Sequence, residues 1–338
     1  MKLTSLFLLS LGLSLVMGPA RADSTIVDTA GVAAAQQRGA LVWDVRAAGA
    51  YRQGHIPGAV NIDEVTGSLR DDNTEDYLPL PQLERRLGAA GIDPSREIVV
   101  YGAKASPSTY FALKTLQYFG GDKARIYHGG IDDWKAAGRP LETETPELHA
   151  VASLKLVARP EQMADTAEVL KKLNDPAVQI LDVRSPEEYR GEDIRALRGG
   201  HIPGAVSINY TENWQDPDAP AKLEKKLVAN KDGMSLKSRE QLRVLYSKLD
   251  PEKETIVYCQ SGVRASETAT VLQDIGFKKV KVYDSSWLGY GNTLNAPAES
   301  VSFVNVGLLM SRMSALQKRL DGMEKELAAQ KSTPAAAP

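Results

Sequence analysis

The sequence predicts an α/β protein of two domains, each a central parallel sheet flanked by helices, followed by a C-terminal helix. Three observations predict it. One set of motifs occurs twice in the same order. Within each copy, short apolar runs alternate with amphipathic stretches, the pattern of strands in a parallel sheet covered by helices. Near the C-terminus, apolar residues recur in steps of three and four.

The repeat is read directly. "ALVWDVRAAGAYRQGHIPGAVNID" spans residues 40–63, and "VQILDVRSPEEYRGEDIRALRGGHIPGAVSINY" spans 178–210. Asp44 maps to Asp182, His55 to His201 and Asn61 to Asn209, and only the second copy carries the insert "GEDIRALR". The match continues from "REIVVYGAKASPSTYFAL" to "ETIVYCQSGVRASETATVL", and from "ARIYHGGIDDW" to "VKVYDSSWLGYG". Strands are expected at 40–45, 97–102 and 124–128, and again at 178–183, 254–259 and 280–284. So long a period is a domain duplication rather than a solenoid. The domains are expected at 24–142 and 160–298, joined by a Pro-, Glu- and Thr-rich surface linker at 143–159.

Beyond the repeat, Val306, Leu309, Met313, Leu316, Leu320, Met323 and Leu327 form a heptad seam, giving a helix over 304–330 suited to a coiled coil and a homo-oligomer. Arg319 and Glu324 fall at g and e, where they would face each other in a parallel dimer. The competing reading is a helix packed back on its own domain. Residues 331–338 read as a disordered end.

At the other end, Lys2, the apolar stretch from Leu3 to Val16 and Ala20-Arg21-Ala22 read as a secretory signal peptide over residues 1–22. The apolar stretch is too short to span a bilayer. The expectation is an exported, periplasmic protein with no membrane span. Without residues 1–22, 39 basic residues face 43 acidic ones, a balance that argues against nucleic acid as a partner. The chain has one cysteine, Cys259, so no disulfide within the chain holds the fold. Cys259 is either a buried small hydrophobe or a reactive thiol.

Its setting favours the thiol. An apolar strand ends at Cys259, and a helical pattern begins at Ala265. Between them "CQSGVR" must gather backbone N–H groups around one point. Gly262 permits a left-handed curl, and the helix N-terminus and Arg264 add positive potential. Such a loop favours a thiolate and cradles an anion. A thiolate held there is a nucleophile for an electron-poor sulfur or phosphorus.

These residues carry a resemblance. "CQSGVR", the paired "DVR" and "GHIPGA" segments and "SWLGYGN" resemble the rhodanese family of sulfurtransferases, in particular its tandem-domain members, over residues 24–298. The resemblance implies an inactive first domain, with Gly102 where the second has Cys259, and a catalytic second domain. It implies that Cys259 takes a sulfane sulfur from a small anionic donor, thiosulfate or 3-mercaptopyruvate, holds it as a persulfide and passes it to a thiol or cyanide. No cofactor and no metal is implied. Protein phosphatases with a related cradle have five residues between Cys and Arg. Here four lie between Cys259 and Arg264, the tighter loop of the sulfurtransferases. The alternatives are a non-catalytic scaffold oligomerised by its C-terminal helix, which the intact loop opposes, and a thiol-redox protein, which the missing second cysteine opposes.

Around Cys259, the amides of Gln260, Ser261, Gly262, Val263 and Arg264 are expected to hold the persulfide, with Ser261 a candidate donor to sulfur. Arg264 either acts on the sulfur or pairs with an acid at the rim. Thiosulfate users typically have a basic residue after the cysteine. Gln260 is not one, and Ser261-Gly262-Val263 leans to the mercaptopyruvate type. In tandem rhodaneses, arginines from the insert reach the substrate anion, which makes Arg198 the first candidate and Arg195 the second. A position often arginine in the family is Glu188 here. Asp182 and Arg184 read as a strand-end pair that Asp44 and Arg46 repeat, with Asp182 able to reach the loop. His55 and His201 read as parts of a structural turn fixed by proline. Trp287, Tyr290 and Asn292 read as packing.

Overall fold

The structure, a computed structural model, describes residues 24–332, with side chains as far as residue 327. The expected signal peptide and residues 333–338 lie outside the described residues. The first copy contains strands β1 (Ile26–Val27), β2 (Leu41–Asp44), β3 (Val60–Asn61), β4 (Ile98–Tyr101) and β5 (Ala124–Tyr127). They pair in the order β1-β5-β4-β2-β3, all parallel. The second copy contains β6 (Met163–Ala164), β7 (Val178–Asp182), β8 (Arg198–His201), β9 (Val206–Ser207), β10 (Glu254–Tyr258), β11 (Lys279–Tyr283) and β12 (Glu299–Phe303). The order β6-β11-β10-β7-β9 repeats the first sheet strand for strand, again all parallel.

The central strands explain why the runs are uninterrupted by polar residues. Ile98, Val99, Val100 and Tyr101 are all buried, as are Ile256, Val257 and Tyr258, because helices cover both faces. Alternate residues feed two cores per sheet. In the first domain Trp43 and Val100 join Phe111 and Leu116 on one face, while Val42 and Val99 join Trp134 on the other. In the second, Val257 meets Leu272, and Ile256 meets Trp287.

The shared motifs make the same contacts twice. Asp44 and Asp182 each take a bidentate bond from the arginine two residues on, Arg46 or Arg184, which also donates to the carbonyl of Gly54 or Gly200. Each Gly-His turn places an imidazole against a tyrosine ring, His55 on Tyr51 at 3.8 Å and His201 on Tyr189 at 3.6 Å. His Nδ1 lies 3.0 and 2.8 Å from the carbonyls of Tyr51 and Tyr189. These turns are structural in both copies.

Three features depart from the sequence reading. The helix after the Cys259 loop begins at Val263, two residues before the apolar pattern does, because Gly262 at φ +79° ends the loop there. The linker is exposed in its first part, but Leu154 and Leu156 are buried on the first domain and Val151 N–H donates to the Gly88 carbonyl at 2.8 Å. The insert joins an antiparallel pair, β8 with β12, which no periodicity announced because β12 lies past the repeat.

The two domains are docked along one seam. The helix Pro107–Tyr118 of the first packs on the helix Val263–Ile275 of the second, which starts at the Cys259 loop. Lys114, lowered to about 7 by burial, donates to Gln273 Oε1 at 2.5 Å and Gln117 Oε1 at 3.0 Å. Glu267, fully buried on the same second-domain helix, accepts from Trp214 Nε1 at 2.7 Å, and its other oxygen has no partner among the described residues. Burial raises its carboxyl to about 8, against the pull of Trp214. A carboxyl raised from about 4.5 to about 8 keeps its proton in the folded state across that window. Its contribution to stability is full below the lower value and is lost as pH rises through the upper one. Glu267→Gln is therefore expected to gain on the parent protein as pH rises, the difference in Tm widening by roughly 5 °C or more between pH 5 and pH 9. Thermal melts across that range check it, and a constant difference would refute it.

Candidate active site

Central strand β10 delivers Cys259 to the C-terminal end of the sheet, where the residue is 1 % exposed. The loop that follows is closed from behind by one hydroxyl. Cys259 N–H and Gly262 N–H both donate to Ser286 Oγ, at 3.1 and 3.0 Å, and Ser286 Oγ donates to the Tyr283 carbonyl at 2.6 Å. Gly262 is required there twice over. Its φ is left-handed, and a Cβ would lie 2.7 Å from the Asp284 carbonyl oxygen. The N–H groups of Gln260, Ser261, Val263 and Arg264 find no acceptor among the described residues. With the helix N-terminus behind them, they leave an electropositive cradle beside the thiol.

The rim is an ion pair. Arg264 Nη1 and Nη2 donate to Glu188 Oε2 and Oε1 at 2.6 and 2.8 Å. Glu188 is fixed in turn by a capping box with Ser185. Burial opposes its charge, yet the Arg264 guanidinium holds its carboxyl below the usual range. The first domain reaches the loop as well. Arg70 Nη1 donates to the Ser261 carbonyl at 2.5 Å, and Nη2 pairs with Asp284 Oδ1.

The first domain keeps the backbone path without a thiol. Ala105 and Gly130 stand where the second domain has Gly262 and Ser286, at φ +58° and +54° against +79° and +48°. Ile131 N–H donates to the Gly102 carbonyl as Trp287 N–H does to that of Cys259. A Cβ on Gly102 would lie 2.5 Å from Thr109 Oγ1, so a cysteine there needs a rearrangement. Ser286 accepts a left-handed φ that its counterpart meets with glycine, a strain of about 1–3 kcal/mol located where the hydroxyl is needed.

A scan against family models matches the rhodanese-like domain twice, at residues 29–137 and 165–293. The chain belongs to the rhodanese family. A protein named thiosulfate sulfurtransferase from Corynebacterium glutamicum is 34 % identical over 262 residues, 74 % of this chain and 81 % of that one. The putative thiosulfate sulfurtransferase of Mycolicibacterium smegmatis is 33 % identical, covering 74 % and 87 %. The sulfur carrier protein TtuD of Thermus thermophilus is 32 % identical, covering 73 % and 86 %. Among solved structures, the anaerobic ergothioneine biosynthesis enzyme of Chlorobium limicola matches with a TM-score of 0.70 at 24 % identity, over 81 % of this chain and 70 % of that one, a likeness of fold.

Within this rhodanese frame the candidate residues separate. Cys259, Ser261, Gly262, Val263 and Arg264 lie together. Gln260 turns away from the cradle and donates to the Arg195 carbonyl at 2.6 Å, while its Oε1 has no partner among the described residues. The ranking of the insert arginines is corrected. Arg198 is buried in β8 and gives Nη2 to the carbonyls of Thr293 and Ala296. Arg195 is half-exposed and reaches Glu188 at 3.5 Å. Arg184 is corrected too. At 1 % exposure it is spent on Asp182 and the Gly200 carbonyl and stacks on Trp287 at 4.7 Å, so neither it nor Asp182 is open to a donor. Trp287 and Tyr290 pack in the core, and Asn292 accepts from Leu197 N–H. Sequence reasoning missed Ser286, Asp284, Arg70 and Tyr210. Tyr210 is raised to about 12 by burial, with Cys259 among the groups acting on it. Asp284 and Ser286 had a signal, the His-to-Asp and Gly-to-Ser differences between "YHGGI" and "YDSSW".

Proposed function

We propose that this chain is a sulfurtransferase that carries a sulfane sulfur as a persulfide on Cys259. The observation that carries the reading is the loop itself: a lone cysteine at a strand end, with four unengaged amides after it, in the one copy of a duplicated domain that retains a thiol. The relatives named thiosulfate sulfurtransferase support it.

The electron count is simple. The Cys259 thiolate attacks the outer sulfur of thiosulfate, a new S–S bond forms, the donor S–S bond breaks, and sulfite leaves with the electron pair. The amides of Gln260, Ser261, Val263 and Arg264 meet the charge of the terminal sulfur. Cyanide or a thiolate then attacks that sulfur, and Cys259 leaves as thiolate. No net oxidant or reductant enters. The names of the relatives favour thiosulfate as donor. The run Ser261-Gly262-Val263 favours 3-mercaptopyruvate, and both belong in the assay.

The reading includes export to the periplasm with cleavage after Ala22, supported by the N-terminal pattern. It also includes self-association through the helix Val306–Ser332, which is 27 residues long. Its seven seam residues are 46 to 64 % exposed, which argues against a helix packed back on its own domain. A row of apolar side chains on one helix face is buried by a second copy in a coiled coil. No helix among the described residues is long and apolar enough to cross a membrane.

Two measurements test this. Protein recovered from the periplasmic fraction is incubated with thiosulfate or mercaptopyruvate and its intact mass recorded. The expected result is a chain starting at Asp23 that gains one sulfur atom, with no gain in Cys259→Ala. Absence of a gain with either donor would reject the persulfide. Sedimentation of the full chain against one ending at residue 303 is expected to fall from dimer to monomer, and an unchanged state would reject the coiled coil.

A further inference from the structure

Arg70 is a buried cation that no motif announced, with both terminal nitrogens engaged and its Nε without a partner among the described residues. It belongs to the first domain, just after the helix Val65–Leu69, and its side chain is 4 % exposed. The guanidinium lies over Phe111 at 4.3 Å and Tyr77 at 5.5 Å. It spends its two terminal nitrogens on the second domain, one on the Ser261 carbonyl and one on the Asp284 carboxylate. Those two acceptors belong to the two segments that form the cradle. Ser261 is in the Cys259 loop, and Asp284 precedes the pair Ser285-Ser286 that closes the loop from behind.

The geometry has a physical reason. A loop whose amides converge on an anion must turn its carbonyls outward, since a carbonyl oxygen facing the anion would repel it. A carbonyl turned outward at a domain interface still needs a donor. Arg70 supplies that donor and adds a fixed positive charge behind the loop. The planar fork suits two acceptors at once, and stacking on Phe111 pre-sets its orientation.

We propose that Arg70 of the inactive domain is a positioning residue of the active site, holding the Ser261 carbonyl outward so that the loop amides converge on the anion at Cys259. The second domain then depends on the first for its chemistry as well as its stability. This rests on the sulfurtransferase reading only for its turnover arm.

The test uses the full chain at pH 8, where Asp284, raised by burial to about 6 against the pull of Arg70, carries its charge. Wild type, Arg70→Ala, Arg70→Lys and Asp284→Asn are compared in two assays. The first is thiosulfate turnover. Arg70→Ala is expected to lower kcat about tenfold with KM within twofold, Arg70→Lys to recover part of the loss, and Asp284→Asn to lose less than Arg70→Ala because the Ser261 bond survives. The second is alkylation of Cys259, read by mass, as the ratio of the rate with anionic iodoacetate to that with neutral iodoacetamide. Arg70→Ala is expected to lower the ratio about fivefold, a change that loosened packing alone would not produce because it acts on both reagents alike. An unchanged ratio in Arg70→Ala overturns the proposal. If Arg70→Ala does not fold, Arg70→Met, which keeps the bulk and removes the donors to Ser261, takes its place, and an unchanged ratio there overturns the proposal. If wild type transfers no sulfur, the functional reading fails, and the alkylation ratio still decides the role of Arg70.

Discussion

The Ser286 hydroxyl gathers the N–H groups of Cys259 and Gly262 onto one oxygen, and the shape of the loop depends on that convergence. With two of the loop's amides tied back, those of Gln260, Ser261, Val263 and Arg264 are left without an acceptor among the described residues. Position 262 must be glycine, because its φ is left-handed and the Asp284 carbonyl leaves no room for a Cβ. The helix Val263–Ile275 starts at that curl, and its buried face packs against the helix Pro107–Tyr118 of the other domain. Each contact fixes the next, from one hydroxyl out to the domain seam.

Duplication makes the division of labour readable. Both domains build the same five-stranded order, the same buried Asp–Arg pair and the same stacked Tyr–His turn. These are the parts needed to fold. Cysteine and Ser286 occur in one copy and are glycines in the other, and the serine sits at a backbone angle where the other copy uses Gly130. At this position the strain in one copy, met by glycine in its twin, places the hydroxyl that ties back the Cys259 loop. The first domain still touches the Cys259 loop, since Arg70 crosses the seam to the Ser261 carbonyl.

Much of this was legible in the sequence for a physical reason. Buried parallel strands must be apolar throughout, so β4 and β10 stand out as runs, and motifs printed twice validate one another. The Cys259 loop was legible because a short Gly-containing turn between strand and helix has few uses. What the sequence hid depends on contacts between distant segments. Arg198 and Arg195 lie three positions apart on one insert, and only the pairing of β8 with β12 decides which turns inward. The salt bridge of Arg264 with Glu188 joins residues 76 apart, and the bond from Arg70 to Ser261 spans 191. Neither has a local pattern to betray it.

The central claim is that the loop amides hold a sulfur on Cys259. A crystal structure determined after thiosulfate soaking tests it most directly. The account predicts one extra sulfur bonded to Cys259 Sγ, within hydrogen-bonding range of the amides of Gln260, Ser261, Val263 and Arg264, with the Ser286 contacts unchanged. An extra sulfur turned away from those amides, or an unmodified Cys259 in protein that has consumed thiosulfate, would contradict it.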